Sequence, residues 1–487
     1  MFHPACIADF NRDEHLAKPT PRKHHDSNLQ TYERPCRKLF SRTWNGFLSR
    51  KPKEFSSGLL LGHLIRDDRP TKYKVYLSQK QRARHTLLLG RNGTGKSSLI
   101  DSLVEQDIKA GRGFLAIKFH DDHKRILSAI AEQEKKTGKD LSSRTIIVDP
   151  SDPLYCVGLN PLEISSGLST FIQIAEISSV IRSHAHLENF GPQTEELLRN
   201  SLHVLADNHL TLVELAPFLT NTALRLSLMN KVSNAEVRSY FESRFGEASD
   251  AMRRSMTNPV LNKTSAFTAD PHFRHILGQK ESTFSLIDAI DAGCFIILAL
   301  PKNRLGEQTA MIASVLLAKL KNSAFARKRR DLFTIYADEI QNLVSSESSL
   351  EVMFSELRKF GIGIVAANQY LEQYPPQLRS AVLAIGTHIC FQLSSNDADK
   401  MASALDGGKN LSELLRNLPL RNFVLKTGSD PWKQVITPKV EPLKTDFRSL
   451  VERSQKLFAR TRSEIEAEIQ SRVPKASSAK EELDEWK

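Results

Sequence analysis

The sequence predicts an α/β protein whose parallel-rich sheet is interrupted by an all-helical block. Three observations carry that reading. Apolar runs of strand length alternate with stretches of helical spacing over residues 58–167 and again over 289–440, the pattern of parallel strands with helices between them. From 168 to 288 the strand signals stop and only helical spacing remains. A glycine-rich turn, Gly90–Gly95, joins a strand directly to a helix.

Taken in order, "KYKVYL" and "HTLLLG" read as strands, and the second runs into the glycine turn. "KSSLIDSLVEQDIKAG" has helical spacing and stops at a glycine. "GFLAIKF" and "RTIIVDP" are strands on either side of the helical "DHKRILSAIAEQEKKTGK". The block that follows reads as successive helices: "STFIQIAEISSVIRS", "QTEELLRNSLHVLADN", "TLVELAPFLT", "LRLSLMNKV" and "AEVRSYFESRF". The α/β rhythm resumes with the strand "CFIILAL" and one long helix over 307–330. The strands "LFTIYAD" and "GIGIVAA" come next, separated by the helical "LEVMFSELRKF", and "THICFQLS" and "NFVLKTG" close the sheet. In the segment 441–487, Phe447 to Val473 reads as one charged amphipathic helix ending near Pro474.

The 487 residues are 40% hydrophobic and a quarter charged, a globular composition rather than a disordered or fibrous one. The net charge is +12, and residues 1–80 supply +8 of it, with sixteen Lys or Arg against eight Asp or Glu. Residues 1–57 read as a basic N-terminal arm, either a solubilising segment or a contact for a polyanion. Cys6, Cys36, Cys156, Cys294 and Cys390 are odd in number and form no CxxC pair, which points to reduced thiols in a cytosolic protein. The N-terminus lacks the apolar run of a signal peptide, and no stretch approaches the roughly 20 apolar residues that span a bilayer. A soluble, cytoplasmic protein is expected.

The chemistry starts at "LLLGRNGTGKSSLI". Gly90, Gly95, Lys96 and Ser97 match G-x-x-x-x-G-K-S, the phosphate loop, in its proper place between strand and helix. Backbone N–H groups of Gly90, Arg91, Asn92, Gly93, Thr94, Gly95, Lys96, Ser97 and Ser98 can close around phosphate at the helix N-terminus. Lys96 would reach the β- and γ-phosphates, and the Ser97 hydroxyl would ligate Mg2+. A hydrolysing site also needs acid at the end of a neighbouring apolar strand, and "LFTIYADEIQN" supplies it. Asp338 is placed to hold Mg2+ through water, and Glu339 to polarise the attacking water. The pair lies too far downstream of the loop for a compact kinase or GTPase, unless a large insertion intervenes; the helical block is that insertion. Gln369 follows the strand "IGIVAAN", where an amide can meet the γ-phosphate or the water. Arg358 precedes that strand on a helix end, where it has either a favourable place in the macrodipole or a phosphate to meet across a subunit interface.

Together the segments "LLLGRNGTGKSSL", "IIVDPSDPLYCVGLNPLE", "IYADEIQN", "SELRKFGIGIVAANQYLEQ" and "AIGTHICFQLSSNDADKMA" resemble the TraD/TraG-type coupling-protein ATPases within the HerA/FtsK-like DNA-pumping ATPases. The resemblance runs from about Leu59 to Val440. It implies a RecA-like motor core in two parts, 58–167 and 289–440, carrying the helical domain 168–288 and assembled as a hexameric ring around DNA. Residue by residue, it makes Lys96 and Ser97 Walker A, Asp338 and Glu339 Walker B, Gln369 the sensor glutamine and Arg358 the arginine finger. ATP and Mg2+ are the implied cofactors, and secretion, relaxase or nuclease proteins are the implied partners.

Two departures stand out. Coupling proteins usually carry N-terminal membrane helices and this chain has none, so inner-membrane recruitment would run through a partner. Where relatives often read "DPHGD", this chain has "KFHDDHKR"; Asp121 stands in the place of the usual acid, and His120, Asp122 and His123 beside it read as a solvated loop rather than a metal site. The expected function is a DNA translocase in conjugative transfer. The alternatives are a motor for DNA-end processing or phage defence, a protein-export ATPase, and an ATP-gated assembly platform with little turnover.

Overall fold

The strands of the protein, seen in a computed structural model that describes residues 58–164, 169–184, 191–306, 309–340 and 347–472, run in chain order as follows. They are β1 Leu59–Arg66, β2 Arg69–Leu77, β3 Thr86–Leu89, β4 Phe114–Lys118, β5 Thr145–Val148, β6 Tyr155–Cys156, β7 Phe295–Ala299, β8 Phe333–Asp338, β9 Ile362–Asn368, β10 Thr387–Cys390, β11 Asn422–Thr427, β12 Lys433–Ile436 and β13 Arg460–Thr461. The N-terminal arm, Cys6, Cys36 and the expected helix end at Pro474 lie outside the described residues.

One 11-stranded sheet has the order β2-β1-β12-β11-β10-β3-β9-β8-β4-β7-β5. From β10 to β5 every neighbouring pair is parallel, and from β10 to β2 every pair is antiparallel. The parallel strands are mostly apolar because helices cover both of their faces; β4, β7 and β9 are buried at every residue. The expected α/β fold with a parallel-rich sheet is therefore observed. The antiparallel edge was only partly read from sequence: β2 is the expected "KYKVYL" strand, whereas β1 and β12 are additions.

The helix after the glycine turn, Lys96–Ala110, ends where Gly111 turns left-handed at φ 67°. Its apolar face (Leu99, Ile100, Leu103, Val104) packs with Phe114, Ala116, Tyr336 and Val365 of the sheet, each such side chain contributing about 1.5–3 kcal/mol. A buried polar knot fixes its far end. Asp107, fully buried, pairs with Arg82 and with Arg112 Nε at 2.6 Å, and accepts from the Tyr336 hydroxyl at 2.6 Å. Arg82 also donates to Thr334 Oγ1 at 2.8 Å. The helix is thereby locked to β8, which sets the facing of their opposite ends.

Between β6 and β7 the described residues form helices only, beginning with Thr170–His184 and Pro192–Asp207 and closing with Leu286–Asp291. This part has its own core, with Phe218, Phe241 and Phe245 meeting edge to face at 5.1 and 5.6 Å. Its helix Asp250–Thr268 carries Pro259 in its interior and had no clear signal in the sequence. Lys321 paired with Glu176, and Ser314 at 2.9 Å from His184, join the helical part to the helix Thr309–Phe325.

Two helical expectations need correction. The long helix expected to reach residue 330 stops at Phe325. Arg327 leaves it to become buried, pairing with Asp291 at 2.8 Å and donating to the Phe360 carbonyl at 2.7 Å. The tail is two helices, Arg448–Phe458 and Arg462–Arg472, broken by an extended Ala459. The break lets β13 pair antiparallel with β6, which gives the backbone groups of β6 partners that a continuous helix could not supply. Among the described residues no helix is long and apolar enough to cross a membrane.

Candidate functional site

Strand β3 ends at Leu89, and the chain turns through Gly90–Gly95 into the helix at Lys96. The turn is pinned by neighbouring strands: Gly90 N–H donates to the Asn368 carbonyl at 3.2 Å and Arg91 N–H to the Gln392 carbonyl at 2.9 Å. A side chain at Gly90 would put its Cβ 2.6 Å from that of Phe391, so only glycine fits. Gly95 caps the helix at φ 118° and provides no side-chain cap, leaving the first-turn N–H groups of Lys96, Ser97 and Ser98 to an outside acceptor. Thr94 ties the loop together through Oγ1 to the Arg91 carbonyl at 2.7 Å. Arg91, Asn92 and Gly93 are exposed on its outer side.

Lys96 is buried, and its ammonium donates to the loop carbonyls of Gly90 and Arg91, the latter at 3.0 Å. Burial lowers its pKa, and the Asp338 and Glu339 carboxylates oppose that shift. Ser97 Oγ donates to Asp338 Oδ2 at 2.7 Å. Asp338 is the last residue of β8, and Glu339 next to it takes a left-handed backbone at φ 56°. A non-glycine residue there costs of order 1–3 kcal/mol. The strand's alternation of faces stops at that residue, which frees Glu339 from pointing opposite to Asp338.

Strand order places Gln369. Because β9 lies between β3 and β8, its carboxyl end falls between the loop and Asp338. Gln369 Oε1 accepts from the Tyr370 hydroxyl at 3.0 Å, and Gln373 Oε1 accepts from Gln369 N–H at 2.8 Å. One chain therefore brings together the loop, Asp338, Glu339 and Gln369. It does not bring Arg358. That residue is exposed in the turn Leu357–Phe360 before β9 begins, at the amino edge of the sheet and a full strand length from Gln369.

The "KFHDDHKR" loop differs from its expectation as a solvated segment. Asp122 binds the buried Lys118 at 2.7 Å, Asp121 pairs with Arg304 at 2.6 Å, and His123 is buried. His120 stays exposed, with Nε2 3.9 Å from Glu339 Oε1. Among the described residues no group of three or more His, Cys, Asp or Glu is arranged to hold a metal ion. Sequence reasoning passed over Lys118; the available signal was a lysine inside the otherwise apolar run "GFLAIKF". The "DPSDP" segment is a structural joint. Asp149 and Asp152 accept from backbone N–H groups of Ser151 and Leu154, at 2.8 and 2.9 Å, while Arg462 clasps the Pro150 and Asp152 carbonyls. Cys156, Cys294 and Cys390 are buried thiols pushed up to about 12 by that burial, and so are poor nucleophiles.

No family model matches the sequence, and no curated protein matches it significantly. Solved structures do match. The plasmid coupling protein TrwB in complex with the ATP analogue ADPNP superposes with a TM-score of 0.54 at 15% identity, over 82% of this chain and 97% of that one. VirB4 of Thermoanaerobacter pseudethanolicus gives 0.53 at 16%, over 79% and 97%. The unbound bacterial conjugative coupling protein TrwBdeltaN70 gives 0.53 at 16%, over 82% and 92%. At such identities the likeness establishes the fold, and it falls on the coupling-protein kind that the sequence motifs resemble. The fold is the RecA-like P-loop ATPase fold of TrwB and VirB4.

Proposed function

We propose that this chain is an ATP-hydrolysing motor of the coupling-protein kind, working on DNA as a ring of identical subunits. The observation that carries the reading is the Ser97–Asp338 contact, 2.7 Å at the uncapped start of the loop helix. A hydroxyl and a carboxylate so placed beside a phosphate-binding turn fit Mg2+. Coupling-protein structures of the same fold that hold ADPNP, or ADP with Mg2+, add support. The stretches 58–167 and 289–440 then form the motor, and 168–288 its helical domain.

In this reading Lys96 and the N–H groups of residues 90–98 receive the phosphates of ATP. Ser97 and Asp338 would hold Mg2+, which when bound would neutralise charge on the nucleotide phosphates. Glu339 orients the attacking water and accepts its proton. Gln369, beside the loop, senses the terminal phosphate and passes its loss to the turn Leu371–Gln373. Arg358 of the partner subunit stabilises the charge leaving with the γ-phosphate. The net charge of +12 suits sequence-independent grip on a DNA backbone. The likeness to conjugative coupling proteins supports conjugative transfer as the pathway, with the chain in the cytoplasm and drawn to the inner membrane through partner proteins. The test is ATP turnover with and without single- and double-stranded DNA. Stimulation that fades as salt rises is expected; a rate indifferent to both forms would contradict DNA as the cargo.

A further inference from the structure

Lys118 is the last residue of β4 and only 1% exposed. Ile117 lies opposite Ala337 in the parallel register of β4 and β8, so Lys118 and Asp338 come next, side by side. Both lie on the face covered by the loop helix, since Ala116 and Tyr336, two residues back on each strand, belong to that core. The ammonium donates to Asp101 Oδ1 at 3.1 Å and to Asp122 Oδ2 at 2.7 Å. Asp101 is four residues after Ser97 and therefore on the same side of the helix. Burial works against the lysine's charge, but Asp101, Asp122 and Asp338 outweigh it and hold the group protonated. Arg125, 3.9 Å from Asp101 and 2.5 Å from Glu105, flanks the cluster.

An ammonium between two carboxylates, beside a third that faces the loop, stands where a cation would otherwise be drawn. We infer that Lys118 is a resident counter-cation: by filling the gap between Asp101 and Asp122 it keeps this edge from holding a divalent cation by itself, so that the cation is bound only together with nucleotide phosphates. The inference rests on the proposed nucleotide site for its consequence, because a cation that arrives and leaves with the nucleotide cannot block the next round. The sign is set by Coulomb's law, since removing the positive charge held between Asp101 and Asp122 strengthens cation binding there. A lysine that merely shapes the fold would, on removal, loosen the carboxylates and weaken it.

Mn2+ binding without nucleotide, followed by the free-ion EPR signal, separates the two. Lys118→Met is expected to bind Mn2+ on the order of tenfold or more tighter than the unaltered protein, and adding Asp122→Asn should cancel the gain. A folded Lys118→Met protein with unchanged or weaker Mn2+ binding would overturn the inference, as would tight nucleotide-free binding by the unaltered protein. Should Lys118→Met fail to fold, Asp122→Asn alone decides. It turns the freed ammonium toward Asp338, so the Mg2+ concentration needed for half-maximal binding of a fluorescent ADP analogue should rise severalfold; an unchanged requirement contradicts it. If the unaltered protein binds no nucleotide at all, the proposed function fails, while the Mn2+ comparison still tests Lys118.

Discussion

At the carboxyl edge of the sheet a single chain gathers the glycine turn, Asp338, Glu339 and Gln369 across three adjacent strands. At the amino edge of the same sheet Arg358 stands exposed, separated from them by the seven residues of β9, roughly 20 Å at ~3.3 Å per residue. The backbone locks the first group, through the Gly90 and Arg91 hydrogen bonds to neighbouring strands and the Asp107 knot that ties helix to β8. A side chain facing outward at the far edge can act on a phosphate only if another copy of the chain presents its loop there. Each edge thus holds a different part of the proposed site.

Substitutions at the two edges should therefore fail in different ways. Lys96→Ala should have the largest effect, abolishing nucleotide binding and with it all turnover; binding retained at normal affinity, measured with a fluorescent analogue, would break the assignment of the carboxyl edge. Arg358→Ala should bind nucleotide normally yet lose on the order of 10³-fold or more in turnover, as arginine fingers do. Glu339→Gln should likewise bind, and lose on the order of 10²–10⁴-fold; hydrolysis at the normal rate would mean that another group activates the water.

The amino edge should also be acid-sensitive. His85, before β3, and His388, on β10, are buried, and burial lowers each from 6.5 to about 4, with the Arg358 charge adding to the effect at His85. The unfolded chain takes up protons near pH 6.5 that the folded chain refuses until about 4. Stability is therefore full above pH 6.5 and falls between 6.5 and 4, by up to about 3 kcal/mol per histidine. Urea midpoints at pH 7 and pH 5 should show the loss, and His85→Gln should reduce the difference between them.

The carboxyl edge was the more legible in sequence, for a physical reason. Its residues sit at the ends of short apolar runs, where strand, turn and helix announce themselves locally, as in "HTLLLG" followed by "KSSLI". What sequence reasoning lost depends on partners far along the chain. Lys118 acquires meaning only beside Asp101 and Asp122. Arg327 ends its helix early because the Phe360 carbonyl and Asp291 await it. The tail breaks at Ala459 because β6 offers an edge to pair with. Pro259 hid a helix that tertiary packing tolerates.

The most direct test of a site shared between subunits mixes two inactive proteins, Arg358→Ala and Lys96→Ala. At mixed interfaces the intact loop of the first meets the intact arginine of the second, a combination neither protein can form alone. ATP turnover above the sum of the two parents is expected, even if small. A mixture that stays inactive although the proteins are shown to co-assemble would contradict a site completed across subunits, and would leave Arg358 as a helix-end residue of its own chain.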